Sequence, residues 1–258
     1  MQLESIDNFI FDFDHTLIDT DTAFATYRRV LLEQLHLHSR LACDQLEAAL
    51  ADTETRLESC FFANRLDLIS GLIGNKLSRD LNEMDRRKIA LVVNTSYHAC
   101  LRPNHAILSM LEDSLKLGKN LFLFTAGSPA HTIDKLRGSA LWRYFKCVFT
   151  GDLHPFEDSV DSGLTDVAEW QGQMEDRAPV LSLGPNPKSD RRGYLSLLAC
   201  ANIKADRSLM IGNSLKDDVQ NAHAAGFYAA QATWFHRDVL ETVIPDMVLT
   251  APSSLIIH

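Results

Sequence analysis

Cysteine is sparse and unpaired in this chain of 258 residues. Cys43, Cys60, Cys100, Cys147 and Cys200 are odd in number, widely separated and free of any CxxC pair. That pattern excludes a disulfide framework and a cysteine-based zinc site, and points to reduced thiols in a cytosol. Long apolar runs are also missing: none approaches the ~18 residues of a membrane-spanning helix. The opening Met1-Gln2-Leu3-Glu4-Ser5 has neither the basic start nor the apolar stretch of a secretory signal. The expectation is a soluble, cytoplasmic protein with no membrane partner. Positive charge is short as well, with 25 Lys and Arg against 34 Asp and Glu and a formal net charge of -9. A nucleic-acid binder needs a basic face, so nucleic acid is not an expected partner. The excess acidity is concentrated in Asp152, Glu157, Asp158, Asp161, Asp166, Glu169, Glu175 and Asp176, with no Lys or Arg between the first and the last. Outside that segment the chain is near neutral, which leaves room for a neutral or anionic small substrate.

What is present is ordinary globular composition, 46% hydrophobic and 23% charged. The length suits one large domain or a core with a smaller accessory domain. The apolar run Asn8 to Phe13 reads as a strand. From Asp21 to about Arg102 the pattern becomes helical, with Phe24, Tyr27, Val30 and Leu31, then Leu46, Leu50 and Leu57, then Leu66, Ile69, Leu72 and Ile73 at three- and four-residue intervals. Roughly four helices fit, with breaks near Ser39, near Cys60 and at Gly74-Asn75. Beyond Pro103, helices at His105–Leu117, His131–Arg137, Arg191–Ala201 and Asp217–Ala225 alternate with short apolar strands. Those strands are Asn120–Thr125, Cys147–Thr150, Val180–Leu183, Ser208–Ile211, Tyr228–Ala232 and Met247–Leu249. Gly118 and Gly226 read as the glycines that end two of the helices. Such alternation predicts an α/β fold, a Rossmann-like parallel sheet whose ligand site lies at the carboxyl ends of the strands. The expected division is a core of residues 1–19 and 103–258, a helical insert over 20–102, and an acidic loop insertion over 152–178. That insertion carries one short helix near 166–173, and its acids do not match the spacing of a calcium loop.

Asp12, Thr125 and Asn213 each stand at or just beyond a strand end. On a continuing strand, Asp12 and Asp14 at i and i+2 would share a face. Two carboxylates at an apolar strand's exit need a counter-charge, because burying unpaired negative charge is costly. A divalent cation with a phosphoryl group is one such partner.

Asp12-x-Asp14-x-Thr16, then Thr125, then Lys188 and finally Gly212-Asn213-Ser214-x-x-Asp217-Asp218 resemble, in that order, the four motifs of the haloacid-dehalogenase superfamily of phosphotransferases. The resemblance covers residues 8 to 17, 103 to 151 and 184 to 249. It implies a haloacid-dehalogenase-like core, with the helical insert of residues 20–102 where the family places its C1-type cap. It also implies a Mg²⁺-dependent phosphatase acting on a small phosphorylated metabolite. In that reading Asp12 is the nucleophile and a metal ligand, and Asp14 is the acid and base, also counted in the metal set. Thr125, with Thr16 and the backbone of Ala126 and Gly127, holds phosphate oxygens. Lys188 bridges nucleophile and phosphate, and Asn213 and Asp218 complete the Mg²⁺ site, with Asp217 as a further candidate. Family members that dehalogenate carbon lack the second aspartate, so Asp14 disfavours that chemistry.

Position 213 is usually Asp in this family and is Asn here, which leaves the metal site lighter by one charge. Three alternatives stay open: a phosphomutase, a phosphonate hydrolase using Lys76 or Lys88 as a Schiff base, and a non-enzymatic binding protein on the same fold. His15, between the two aspartates, reads as a supporting or insert-facing residue. Arg28, Arg29, Asn64, Arg65 and Lys76 read mainly as a solvated helix face. Nothing in the sequence indicates an oligomeric state.

Overall fold

The computed structural model describes residues 3–57, 81–152 and 178–255. The expectations for Asn64, Arg65 and Lys76, for the helix breaks near Cys60 and Gly74, and for residues 153–177 of the acidic insertion lie outside the described residues. The described chain divides into two compact units, residues 3–20, 102–152 and 178–255 in one and residues 21–57 and 81–101 in the other.

The larger unit is built on a seven-stranded sheet in the order β4-β3-β2-β1-β5-β6-β7. Its strands are β1 (Asn8–Phe11), β2 (Asn120–Phe124), β3 (Cys147–Thr150), β4 (Val180–Ser182), β5 (Ser208–Gly212), β6 (Tyr228–Ala232) and β7 (Met247–Leu249). Every neighbouring pair is parallel. The central strands read as continuous apolar runs because both faces are covered. All four residues of β1 are buried, and so are all five of β5. On one face Ile10, Phe122, Phe124, Phe149 and Met210 pack with Tyr194, Leu197, Val219 and Phe227. Tyr194 meets Phe124 and Phe227 edge-on at 5.0 and 5.5 Å between ring centroids, a favoured aromatic geometry.

Among the described residues, six helices precede the last motif: α1 (Thr20–Ser39), α2 (Cys43–Leu57), α3 (Glu83–Cys100), α4 (His105–Lys116), α5 (Pro129–Ser139) and α6 (Arg191–Ala201). Their ends follow local chemistry. Asn104 caps α4 by accepting from the Ile107 amide at 2.9 Å, and Asp190 caps α6 by accepting from the Arg192 amide at 2.7 Å. At the far end of α4, Gly118 takes φ +75°. The Lys119 amide then reaches back to the Ser114 carbonyl at 3.1 Å, closing a Schellman motif. Helix α5 begins earlier than the expected His131, because Ser128 caps it and Pro129 supplies a preset first turn.

In the smaller unit, Tyr27, Leu31 and Leu35 on α1 and Ile89, Val93 and Tyr97 on α3 are buried at four-residue spacing. Tyr27 meets Tyr97 edge-on at 6.1 Å. Arg29 pairs with Glu33 one turn on at 2.7 Å, exposed on both sides, which is the solvated face its position suggests. No helix among the described residues is long and apolar enough to cross a membrane.

Candidate active site

Strand β1 stops sooner than its apolar run suggests. The Asp12 amide still donates to the Ile211 carbonyl at 2.9 Å, but the chain then turns, with the Leu17 amide bonded to Phe13 O at 3.0 Å and the His15 amide to Ile18 O at 2.8 Å. His15 adopts a left-handed conformation at φ 58°. Asp12 and Asp14 therefore do not share a strand face. Asp12 is buried, whereas the Asp14 side chain is 36% exposed. The turn is pinned by Trp234, whose Nε1 donates to Thr16 O at 2.8 Å. Thr16 Oγ1 in turn donates to Asp12 Oδ2 at 3.2 Å.

Lys188 lies at the centre. Its Nζ is 2.5 Å from Asp12 Oδ1 and 2.5 Å from Asp218 Oδ1, over the Phe124 ring at 5.6 Å. The loop that carries it is held by Asn221 Nδ2, which donates to Lys188 O at 2.8 Å. Gly193 on α6 is needed for this approach, since a Cβ there would overlap the Pro187 carbonyl. Burial pushes the Asp12 carboxyl up to about 7, with Lys188 opposing and Asp218 and Asp14 adding to the rise. For Lys188, burial works to lower the value, but the charges of Asp12 and Asp218 outweigh it and hold the ammonium firmly protonated.

Asp218 is supplied by a π-helical turn, Leu215–Gln220, which runs into the short helix α7 (Asn221–Ala224). Both the Asp218 and Val219 amides bond to the Ser214 carbonyl, at 2.9 and 3.2 Å, so the turn widens at Asp218. Ser214 caps it, accepting from the Asp217 amide at 3.1 Å, while the Ser214 amide donates to Asp218 Oδ2 at 2.9 Å. Gly212 leaves room for the Asp218 carboxylate, which a Cβ would overlap. Burial, followed by the charge of Asp218, raises the Asp217 carboxyl, whose backbone carbonyl accepts from Tyr194 OH at 2.6 Å.

Thr125 is buried just past β2. Its Oγ1 accepts from the Gly127 amide at 3.2 Å. Ala126 is exposed and Gly127 half-buried, so their backbone is reachable from outside.

An oxygen-only set of donors suits a hard divalent cation. Asp218 Oδ1 is buried without a hydrogen bond in line, despite its contact with Lys188, which leaves a lone pair available. Among the described residues, no three Asp, Glu, His or Cys side chains converge as a metal cage. Asp12 and Asp218, with Asn213 half-buried directly after β5, fit Mg²⁺, which retains several waters and needs few protein ligands. The Asp14 carboxylate is engaged elsewhere, accepting from Lys135 Nζ at 2.5 Å.

The sequence matches no family model and no curated protein. Solved structures do match it along nearly its whole length. A 2-haloacid dehalogenase from Pseudomonas syringae pv. Tomato DC3000 is 18% identical, with 97% of this chain and 96% of that chain covered and a TM-score of 0.59. A HAD phosphatase from Thermococcus onnurineus is 17% identical over the same shares, also at 0.59. A Bacillus subtilis protein described as a HAD-hydrolase, solved bound to magnesium, is 17% identical with 97% and 96% covered, at 0.56. The chain has the haloacid-dehalogenase-like fold. At these identities the likeness carries the fold alone, since this fold hosts a dehalogenase and a phosphatase alike.

On that haloacid-dehalogenase-like core, the structure links Thr16 to Asp12, Asp12 to Lys188 and Lys188 to Asp218, residues from segments far apart in sequence. Lys135, Trp234, Asn221 and Tyr194 escaped the sequence reading. Their partners lie 121, 218, 33 and 23 residues away, and no local spacing announces a pairing of that range. Lys135 had one weak signal, an ammonium among the inward positions of α5 beside buried Thr132 and Leu136.

Proposed function

We propose that this protein is a Mg²⁺-dependent phosphatase of the haloacid-dehalogenase superfamily, acting on a small phosphorylated metabolite through an aspartyl-phosphate on Asp12. The observation that carries the reading is the buried Asp12–Lys188–Asp218 cluster at the carboxyl ends of β1 and β5, where a parallel sheet receives its ligand. Phosphoryl transfer asks the protein chiefly for position and charge neutralisation.

An Asp12 carboxylate oxygen attacks phosphorus and the bond to the leaving oxygen breaks, while Asp14 gives that oxygen a proton. Water then attacks the phosphorus of the aspartyl-phosphate, Asp14 takes the water's proton, and inorganic phosphate leaves with Asp12 restored. Lys188 favours the ionised form of Asp12 against the effect of burial and offers positive charge to the phosphoryl oxygens. Thr125 Oγ1 and the backbone amides of Ala126 and Gly127 bind those oxygens as an anion cradle. Asp12, Asp218 and Asn213 hold Mg²⁺, which when bound neutralises the charge gathering on the phosphoryl oxygens.

The test is hydrolysis of p-nitrophenyl phosphate with Mg²⁺ by the unaltered protein and by Asp12→Asn. Loss of a covalent nucleophile lowers kcat by more than ~10³-fold. Equal rates in the two proteins would sink the mechanism.

A further inference from the structure

We propose that Lys135 is a positioning residue for Asp14, fixing which carboxylate oxygen faces the leaving group. The inference rests on the phosphatase reading and adds a residue to it.

Lys135 lies on α5, and its side chain is 6% exposed, whereas that of Asp14 is 36% exposed. The ammonium therefore approaches Asp14 from the protein side and leaves the carboxylate's outer face open. It lies 5.6 Å from the centroid of the Phe13 ring and donates to Asp14 Oδ1 at 2.5 Å. A buried ammonium is costly to hold without a partner, so this contact is difficult to give up. With Oδ1 engaged by Lys135, Oδ2 is the oxygen left to carry a proton outward. A third group orienting an acid–base residue is a recurring device in catalytic sites.

Orientation matters here because Asp14 is on a turn and not on a strand. The backbone after Asp12 leaves the ladder, and His15 adopts its left-handed conformation immediately afterwards. Sheet pairing therefore does not fix the direction of the Asp14 side chain, and a tie from α5 supplies what the strand does not. As Asp14 passes its proton to the leaving oxygen, the negative charge left on the carboxylate falls beside the Lys135 ammonium. The same contact holds the carboxylate in place for the water of the second half-reaction.

The consequence can be separated from a purely structural role by the leaving group. Phenyl phosphate departs poorly and depends on proton donation, whereas 2,4-dinitrophenyl phosphate departs well without it. Lys135→Met should lower kcat/KM for phenyl phosphate by about 10²-fold, the effect of a misplaced catalytic group. Its kcat/KM for 2,4-dinitrophenyl phosphate, which reports the steps up to formation of the aspartyl-phosphate, should fall less than about threefold, because departure of that leaving group needs no general acid. A poorly folded fraction lowers both rates alike and cancels in their ratio. Lys135→Arg, which retains the charge, should recover part of the phenyl phosphate rate, and it decides the matter through the same ratio if the Met variant does not fold. In an Asp14→Asn background, Lys135→Met should cause no further selective loss. Equal losses on the two esters overturn the positioning role while leaving the phosphatase standing. No hydrolysis of either ester by the unaltered protein overturns the phosphatase reading, and the role of Lys135 with it.

Discussion

At the scale of single residues, the site is governed by how few charges it has to share. Two buried carboxylates, Asp12 and Asp218, contact one ammonium, so the cluster carries excess negative charge in a place where charge is poorly solvated. Burial first, and then the charges of Asp218 and Asp14, push the Asp12 carboxyl up to about 7 against the opposing pull of Lys188. A carboxyl raised in the folded state favours folding in its protonated form. Its contribution is complete below the ordinary carboxylate range and is lost as pH rises through about 7. In the proposed phosphatase Mg²⁺ would take the ionised form, so at lower pH its binding would first have to displace a proton. The expected outcome is a Mg²⁺-induced rise in Tm that is small at pH 6 and grows towards pH 8, followed by thermal shift at fixed metal concentration. A rise that does not vary with pH would mean that Asp12 is not in the metal set. Asn213 works in the same direction, since a neutral amide in place of a carboxylate avoids a further unpaired negative charge. In Asn213→Asp, the Tm gain from Mg²⁺ should exceed that of the unaltered protein, while stability without metal should fall. An unchanged gain would place residue 213 outside the metal's reach.

At the scale of elements, Asp12, Thr125 and Asn213 each sit where a strand has just ended, and the approach of the loops around them is specified by small local features. Gly193 shows the cost of one such feature. Inside α6 an alanine would ordinarily be the better helix former by about 1 kcal/mol. Here its Cβ would run into the Pro187 carbonyl, a backbone atom that cannot step aside. Gly193→Ala should therefore displace the loop carrying Lys188 and reduce kcat by about 10²-fold, the scale of a small misplacement in a site. Kinetics at saturating substrate, read beside Tm, test this; unchanged kcat would mean that the loop yields freely. Much of this level was legible in the sequence. The ends of α6, β3, β6 and β7 stand where their periodicity and flanking turn residues put them, because caps and punctuating glycines act within a few positions. The misreadings have equally local causes. Phe13 looked like strand because it is apolar and aromatic, but it belongs to the turn that buries it. The Asp217–Ala225 helix was read as regular, and pattern alone does not show the π turn that Ser214 organises around Asp218. The Asp14–Lys135 pair was beyond reach for another reason. Contacts across more than a hundred residues are set by the sheet order, and alternation of strands and helices does not by itself give that order.

At the scale of the whole molecule, the sheet order is what makes the site possible. Placing β1 at the centre, between β2 and β5, brings the ends of three strands distant in sequence within side-chain reach of one point. The same arrangement makes the centre of the sheet the common support of every functional residue. Ile10 on β1 is fully buried in the cluster that also contains Phe124, Tyr194 and Val219, and each of these neighbours flanks an element carrying Thr125, Lys188 or Asp218. Ile10→Ala should cost about 2–5 kcal/mol, by lost transfer energy and by the cavity left behind. For a chain of this size that corresponds to a Tm lowered by roughly 5–20 °C. Because the support is shared, Mg²⁺ should offset part of the loss. A ligand held only by the folded state adds about 2.7 kcal/mol at a hundred times its Kd. The measurement is Tm for Ile10→Ala and the unaltered protein, with and without saturating Mg²⁺. If the sheet centre and the metal site form one cooperative unit, the metal raises both values by comparable free energies. A variant that keeps its Mg²⁺ affinity but gains no Tm from the metal would show instead that the site end of the sheet can melt separately from its core.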